Sequence, residues 1–187
     1  MLIYESKDLA RAFRTVRQNT IQIAEEIPED KYGFRPAEGC RSVAETLAHV
    51  AVATRWPQRA HTERVSELTL QIFQTVLPQM QQEEASLRTK ADILAALRKG
   101  GDEFATFLEA LPEAVLIEKV TFPPETQQPP KTRFEMLLST KEHEMHHRGQ
   151  LMVVERMLGV VPHLTRQMQE RMAAMQQMQK QASAHGA

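Results

Sequence analysis

The fold is decided by the stretch Glu142-His143-Glu144-Met145-His146-His147-Arg148-Gly149-Gln150. It lies inside a longer segment, 132–158, in which apolar and small residues recur at alternating steps of three and four. That spacing predicts an amphipathic helix of the kind that packs in a helix bundle. The stripe predicted to face the core consists of Met136, Thr140, His143, His147, Leu151, Val154 and Leu158. Two histidines therefore occupy positions where core residues belong.

These two histidines have the spacing of a metal-ligand pair. His143 and His147 are four residues apart, so a helix places both imidazoles on one face, one turn apart. Two neutral imidazoles in this arrangement can bind one divalent metal, and their nitrogen donors suit zinc, nickel, copper or iron. The alternative is a pair of core histidines satisfied by hydrogen bonds, because buried polar groups need partners. His146 is rotated roughly 60° from one and 100° from the other, and we interpret it as a flanking residue.

Length and composition limit the classes of protein. A chain of 187 residues fits one domain with a substantial core. The formal net charge of -1, with no basic stripe, predicts no nucleic-acid or membrane partner. A single cysteine, Cys40, excludes an intramolecular disulfide, and the longest apolar run, 47–53, is too short to cross a bilayer. Since the N-terminus also lacks a signal-peptide core, we expect a cytoplasmic protein.

Four segments have helical periodicity: 6–27, 42–56, 91–111 and 132–158. Pro28 and Pro112 end the first and the third of them. The capping box Ser42-Val43-Ala44-Glu45 begins the second, and Gly100-Gly101 is expected to weaken or kink the third. The sequence thus predicts an all-α four-helix bundle. Residues 57–89 are predicted to form a helical excursion between the second and third helices, lying over one end of the site.

The chain is expected to divide into a bundle domain, 1–162, and a polar tail, 163–187, rich in Met and Gln. Four tail methionines recur at helical spacing: Met168, Met172, Met175 and Met178. We interpret the tail either as a weakly packed terminal helix or as a dimer contact. In the excursion, His61 stands among polar residues and is expected to be solvated.

A third candidate ligand lies on the second helix. His49 shares a seam of that helix with Val52 and Trp56, so it is expected to point into the bundle. A lone core histidine is usually only hydrogen-bonded. Beside the pair on the fourth helix, however, His49 becomes a candidate third ligand. Three protein ligands with open positions are typical of a catalytic metal site.

Three stretches together carry a resemblance to a known family: 27–36 (IPEDKYGFRP), 41–50 (RSVAETLAHV) and 143–151 (HEMHHRGQL). In this order, over about residues 6–162, the sequence resembles the DinB/YfiT-like metalloprotein superfamily. The resemblance implies a four-helix bundle with an unusual connection between helices two and three, and often a homodimer. It also implies a metal site with three histidine ligands, which fall on His49, His143 and His147.

The same resemblance implies a chemistry. Family members of known activity include thiol transferases that use bacillithiol, a mycothiol-dependent maleylpyruvate isomerase and a domain of ergothioneine synthesis enzymes. Their shared chemistry is a metal that lowers the pKa of a small thiol, giving a thiolate nucleophile at neutral pH.

The sequence is compatible with three functions. The first is a metal-dependent thiol transferase or related enzyme that binds zinc or nickel, a small thiol cosubstrate and a small-molecule substrate. In it Glu144 is a candidate proton acceptor, or else a solvated helix carboxylate, and Arg148 and Gln150 are candidates for binding the cosubstrate. A surface ion pair is the alternative for Arg148. The second is a zinc peptidase, since residues 143–147 match H-E-x-x-H, in which Glu is the general base. The third is a non-catalytic, metal-stabilised bundle that acts through a partner.

Overall fold

The computed structural model describes residues 4–185, and helices dominate them. The helices are α1 Ser6–Glu26, α2 Val43–Val52, α3 Arg55–Thr62, α4 Leu70–Ser86, α5 Lys90–Ala110, α6 Glu113–Leu116, α7 Arg133–Met157 and α8 His163–His185. Short 3-10 turns lie at Glu29–Lys31 and Pro124–Thr126. Two short antiparallel strands, β1 Lys119–Val120 and β2 Lys131–Thr132, pair just before α7.

Helices α1, α2, α5 and α7 form the bundle, which confirms the predicted all-α architecture. Two apolar clusters fill it. One contains Ile23, Leu47, Ile93, Leu97 and Leu151, and the other contains Leu9, Phe13, Phe104, Leu108 and Leu137. Each of these side chains is at most 1% exposed. The bundle is therefore held chiefly by apolar burial along the predicted helix faces.

The helices that carry the candidate ligands begin at defined caps. The Ser42 hydroxyl accepts the Glu45 N–H at 3.2 Å, and the Glu45 carboxylate accepts the Ser42 N–H at 2.8 Å. Thr132 and Glu135 make the same reciprocal pair at the start of α7. Each capping box satisfies two backbone donors that a helix N-terminus leaves free, and so fixes where α2 and α7 start.

One arginine joins all four bundle helices. Arg17 of α1 is 3% exposed, and its guanidinium binds the Glu144 carboxylate of α7 through three N···O contacts of 2.9 to 3.1 Å. It also donates to the carbonyl oxygens of Leu97 on α5, at 2.9 Å, and Val50 on α2, at 3.3 Å. Gly101 gives it room, because a Cβ there would lie 2.6 Å from the Arg17 Cγ. Helix α5 runs uninterrupted through this glycine, which makes space for a side chain rather than ending the helix.

The excursion between α2 and α5 consists of α3 and α4, as predicted. The expectation that His61 is solvated is wrong. Its side chain is 1% exposed, and its Nδ1 accepts a hydrogen bond from the Arg133 guanidinium at 3.0 Å. Arg133, itself 1% exposed, also pairs with Glu118 at 3.0 Å. The polar neighbours of His61 in the sequence gave no sign of a partner at the start of α7.

The tail forms the helix α8, whose first turn is docked against the bundle. His163 is 1% exposed, and Arg166 pairs with Glu26 of α1 at 2.6 Å. The tail methionines are exposed: Met168, Met172, Met175 and Met178. Within residues 4–185, no helix combines the length and the apolar character needed to cross a membrane.

Candidate metal centre

Three histidines from two helices of the bundle converge. His49 of α2 and His143 and His147 of α7 place one potential ligand atom each within 4.8 Å of the others. The Nε2 atom of His143 lies 3.1 Å from that of His49 and 3.2 Å from that of His147. The structure thus brings together the three residues that the sequence singled out as candidate ligands.

Two of these imidazoles are oriented by partners on their outer nitrogens. The Nδ1 atom of His49 lies 2.8 Å from the Glu84 carboxylate, and that of His147 lies 2.8 Å from Oε1 of Gln150. Carboxylate and amide oxygens only accept hydrogen bonds, so both Nδ1 atoms must carry a hydrogen. In the neutral rings, both Nε2 atoms then present bare lone pairs toward the centre. A hydrogen bond from the outer ring nitrogen is also how proteins orient metal-ligating histidines.

The three inner nitrogens are not satisfied by one another. Only His143 can carry a hydrogen on Nε2, and it can donate that hydrogen to His49 or to His147 but not to both. The remaining contact, at little more than 3 Å, sets two lone pairs face to face. A tetrahedral zinc ion about 2.0–2.1 Å from each nitrogen would separate two ligands by about 3.3 Å. The donor set therefore fits a divalent metal in its chemistry, and the distances from the His143 Nε2 to the other two nitrogens fit tetrahedral coordination.

Burial favours the neutral form of both candidate ligands on α7. Burial, with a smaller contribution from His147 and His49, lowers the pKa of His143 to about 4. Burial also lowers the pKa of His147, against an opposing effect of its hydrogen bond with Gln150. Neutral imidazole is the form that binds a metal.

Two cavities reach the histidines. The Arg41 cavity, of about 660 Å³, is lined by Arg41, Thr46, His147 and Gln150, among others. The Trp56 cavity, of about 480 Å³, is lined by Trp56, His49 and His143, among others. The two cavities share no lining residue, so different histidines face each of them.

The other predicted site residues are distributed differently. Glu144 is 2% exposed and bound by Arg17, so it is not the solvated carboxylate that the sequence left open. Gln150 lies beside His147 and in the Arg41 cavity. Arg148 lines neither of the two cavities, and its Nε atom is buried without a hydrogen-bond partner among residues 4–185. It makes no surface ion pair there.

Glu84 was not predicted from the sequence as a residue of this site. This residue lies on α4, inside a run of glutamine and glutamate with no distinctive spacing. A carboxylate opposite a ligand histidine is a specific feature, but it exists only after α4 has packed against α2. No local pattern of residues 79–87 indicated that contact.

The bundle, its excursion and its three histidines define a class of helical protein with a candidate metal centre. The family model of the DinB superfamily matches residues 12–151. The chain belongs to this superfamily, as its resemblance in sequence predicted.

Known proteins of this kind are similar over most of the chain. The uncharacterized protein YjoA of Bacillus subtilis is 26% identical over 155 residues, which span 83% of this chain and 92% of YjoA. The crystal structure of YjoA matches with a TM-score of 0.60 and 24% identity, covering 81% of this chain and 91% of that one. YfiT from the same organism, described as a probable metal-dependent hydrolase with an unusual four-helix bundle topology, matches with a TM-score of 0.65. It is 13% identical, and the match covers 83% of this chain and 88% of YfiT.

The exclusion of a nucleic-acid partner is wrong. The colibactin self-resistance protein ClbS, whose crystal structure is a complex with double-stranded DNA, matches with a TM-score of 0.62. The match has 13% identity and covers 83% of this chain and 98% of ClbS. The exclusion relied on the absence of a basic stripe in the sequence and on a formal net charge of -1, which is a sum over the whole chain. A sum near zero does not describe the local field at any one surface.

Proposed function

We propose that the chain is a metal-dependent enzyme in which His49, His143 and His147 hold one zinc or nickel ion. The observation that carries this proposal is the arrangement of nitrogen lone pairs, since two outer hydrogen bonds aim the inner nitrogens of His49 and His147 at the same point. Three protein ligands leave a coordination position open, and a divalent metal there lowers the pKa of a bound thiol or water.

The residues around the histidines have separate tasks in this proposal. Glu84 and Gln150 hold the imidazoles of His49 and His147 in place through their Nδ1–H groups. Arg41 supplies a positive charge in the Arg41 cavity, and its guanidinium has no ion-pair partner within the described range of 4–185. An anionic group of the cosubstrate is the complement to that charge.

A small thiol is the cosubstrate we favour. The Arg41 cavity, of about 660 Å³, has room for an organic molecule beside His147 and Gln150. We therefore assign cosubstrate binding to Arg41 rather than to Arg148. Both polar atoms of the Gln150 amide instead contact His147 and His146. Water is the alternative nucleophile, and the description of YfiT as a probable metal-dependent hydrolase supports it.

The peptidase function gains no support from Glu144. In a zinc peptidase with the H-E-x-x-H motif, this carboxylate is the general base and must reach a metal-bound water. Both of its oxygens instead accept hydrogen bonds from Arg17. We propose that Glu144 is a positioning residue of the bundle. A homodimer and a cytoplasmic location stay predictions from the sequence.

Metal content is the first test. Native mass spectrometry of the purified chain is expected to find one divalent ion per chain, absent from His147→Ala. His146→Ala is the matched control, because His146 is exposed on the same helix and is not one of the three converging histidines. Its Nε2 contacts Gln150, and its ring centroid lies 5.0 Å from that of His147. Failure of the chain to bind zinc or nickel on incubation would overturn the proposal.

The nature of the nucleophile needs a second measurement. The cobalt(II) form, titrated with cysteine or N-acetylcysteine, is expected to gain a sulfur-to-metal charge-transfer band in the near ultraviolet. His147→Ala should show no such band. A cobalt-loaded chain without the band, at saturating thiol, would exclude the thiol and leave water as the nucleophile.

A further inference from the structure

We infer that the Trp56 cavity binds the small-molecule substrate, and that this substrate is an organic anion with an apolar or aromatic body whose charge faces Lys131. The inference rests on the proposed metal function, because only an enzyme would use the bound molecule as a substrate. The binding itself can be measured with or without a metal.

The walls of the cavity are apolar and come from four separate segments of the chain. Trp56 belongs to α3, Phe73 and Met80 to α4, Phe122 to the segment after β1, and Met136 to α7. All five side chains are half-buried, so they face the cavity instead of being packed into a core cluster. A volume of about 480 Å³ lies within the range of about 300–1,000 Å³ that is typical of ligand pockets. Such walls favour an apolar body of similar size.

Lys131 gives the cavity a positive charge. Its ammonium lies 5.6 Å from the centroid of the Phe122 ring and pairs with no carboxylate in the part of the chain that the structure describes. It is the one residue with a full charge among those lining the cavity. Of the other polar groups, Thr140 already donates its hydroxyl to the Met136 carbonyl at 3.2 Å. An unpaired cation beside apolar walls is complemented by an anion with an apolar body.

The floor of the cavity connects it to the candidate metal centre. His49 and His143 line the Trp56 cavity, whereas His147 and Gln150 line the Arg41 cavity. Two different molecules can therefore reach the histidines without competing for one space. Such an arrangement suits a reaction of two substrates, because each is held in its own orientation.

The chain carries its own probe for this cavity, since Trp56 is its only tryptophan. Titration of the zinc-loaded chain with 4-phenylbutyrate is expected to change the tryptophan emission saturably. The neutral isostere 4-phenylbutanamide should bind roughly fivefold more weakly, because it lacks the charge that Lys131 complements. The same titrations on the metal-free chain exclude direct binding of the carboxylate to zinc as the cause.

Three variants locate the binding. Lys131→Met should weaken 4-phenylbutyrate roughly fivefold and leave the amide unchanged. Lys119→Met is the matched control, because Lys119 is exposed on the neighbouring strand and does not line the cavity. Ser139→Phe should weaken binding of both probes, since Ser139 is an exposed residue of the cavity lining and a ring there takes up part of the space.

The possible outcomes distinguish the inference about the anion-binding cavity from the proposal of a metal centre. The inference would be overturned if the anion and the amide bound with equal affinity, or if Lys131→Met and Lys119→Met had equal effects. It would also be overturned if Ser139→Phe bound the probes as the native chain does. Absence of probe binding in a chain that does carry zinc would overturn the inference and leave the metal proposal intact. The expected binding pattern in a chain that takes up no metal would support the anion-binding cavity and overturn the metal proposal.

Discussion

Replacing Glu144 with methionine should lower the free energy of unfolding by about 3–5 kcal/mol, which is the usual effect of leaving one member of a buried ion pair without its partner. The Arg17 and Glu144 side chains are only 4% and 3% exposed, so water cannot replace the lost carboxylate. The guanidinium would keep two backbone carbonyl contacts but lose all three contacts with its counter-charge. The expected loss is a large share of a typical stability of about 5–15 kcal/mol.

A double-mutant cycle separates the ion pair from simple packing. Arg17→Met alone should cost a similar amount, because it leaves the Glu144 carboxylate buried and unpaired. The double variant should be more stable than either single one, since two apolar side chains of similar volume can replace a buried pair at little cost. The matched control is Glu109→Met, which breaks the pair between Arg14 of α1 and Glu109 of α5, with side chains 46% and 52% exposed. That variant should lose no more than about 1 kcal/mol.

The assay is urea unfolding of the metal-free and zinc-loaded chains, with metal content measured on the same samples. Glu144→Met is expected to keep its metal, because its carboxylate binds Arg17 and not the histidines. A loss no larger than that of Glu109→Met would refute the reasoning about the buried pair. Loss of metal from a folded Glu144→Met chain would instead favour a role for this carboxylate at the metal centre.

Three further predictions address other positions. Glu84→Ala should weaken zinc binding about 10–100-fold, because it removes the acceptor that orients a ligand imidazole; a chelator competition in which Glu83→Ala behaves identically would contradict this. Burial raises the pKa of Glu155 to about 7, so the folded chain is stabilised below the ordinary carboxyl pKa and loses that stability as the pH rises through about 7. Glu155→Gln should therefore be about 2–3 kcal/mol more stable than the native chain above that pH. The prediction would be disproved if the free energies of unfolding of the two chains had the same pH dependence. Gly101→Ala should cost about 1–3 kcal/mol in thermal unfolding, since its Cβ would lie 2.6 Å from a buried side chain. Gly149→Ala, which meets open space, should be stabilising by about 0.5–1 kcal/mol, and a reversed order would refute the steric argument.

The sequence predicted the bundle and the meeting of its histidines because both follow from helical geometry. A period of 3.6 residues fixes which side chains share a face, and Ser42 and Thr132 mark where two of the helices begin. Once α2 and α7 pack by their apolar faces, His49, His143 and His147 must approach one another.

Contacts between distant segments could not be predicted in this way. Glu84 lies 35 residues after His49, and Glu144 lies 127 residues after Arg17. A glutamate has no periodic signature that distinguishes a buried partner from a solvated surface group. The sequence therefore could not assign Glu144 to an ion pair with Arg17, and it placed His61 in solvent for the same reason. Only the packed helices show which polar groups lie opposite each other.

The distance along the chain between the candidate ligands has a consequence for how the protein is made. His143 follows His49 by 94 residues, which a ribosome adds in roughly 5–20 s. Throughout that interval the nascent chain offers only one of the three imidazoles, and the remaining two emerge together on the last bundle helix. In the proposed site, an ion held by all three imidazoles can therefore be bound only after α7 has been translated. The three-histidine proposal thus implies that the ion is selected from those available after translation, when the complete ligand set exists.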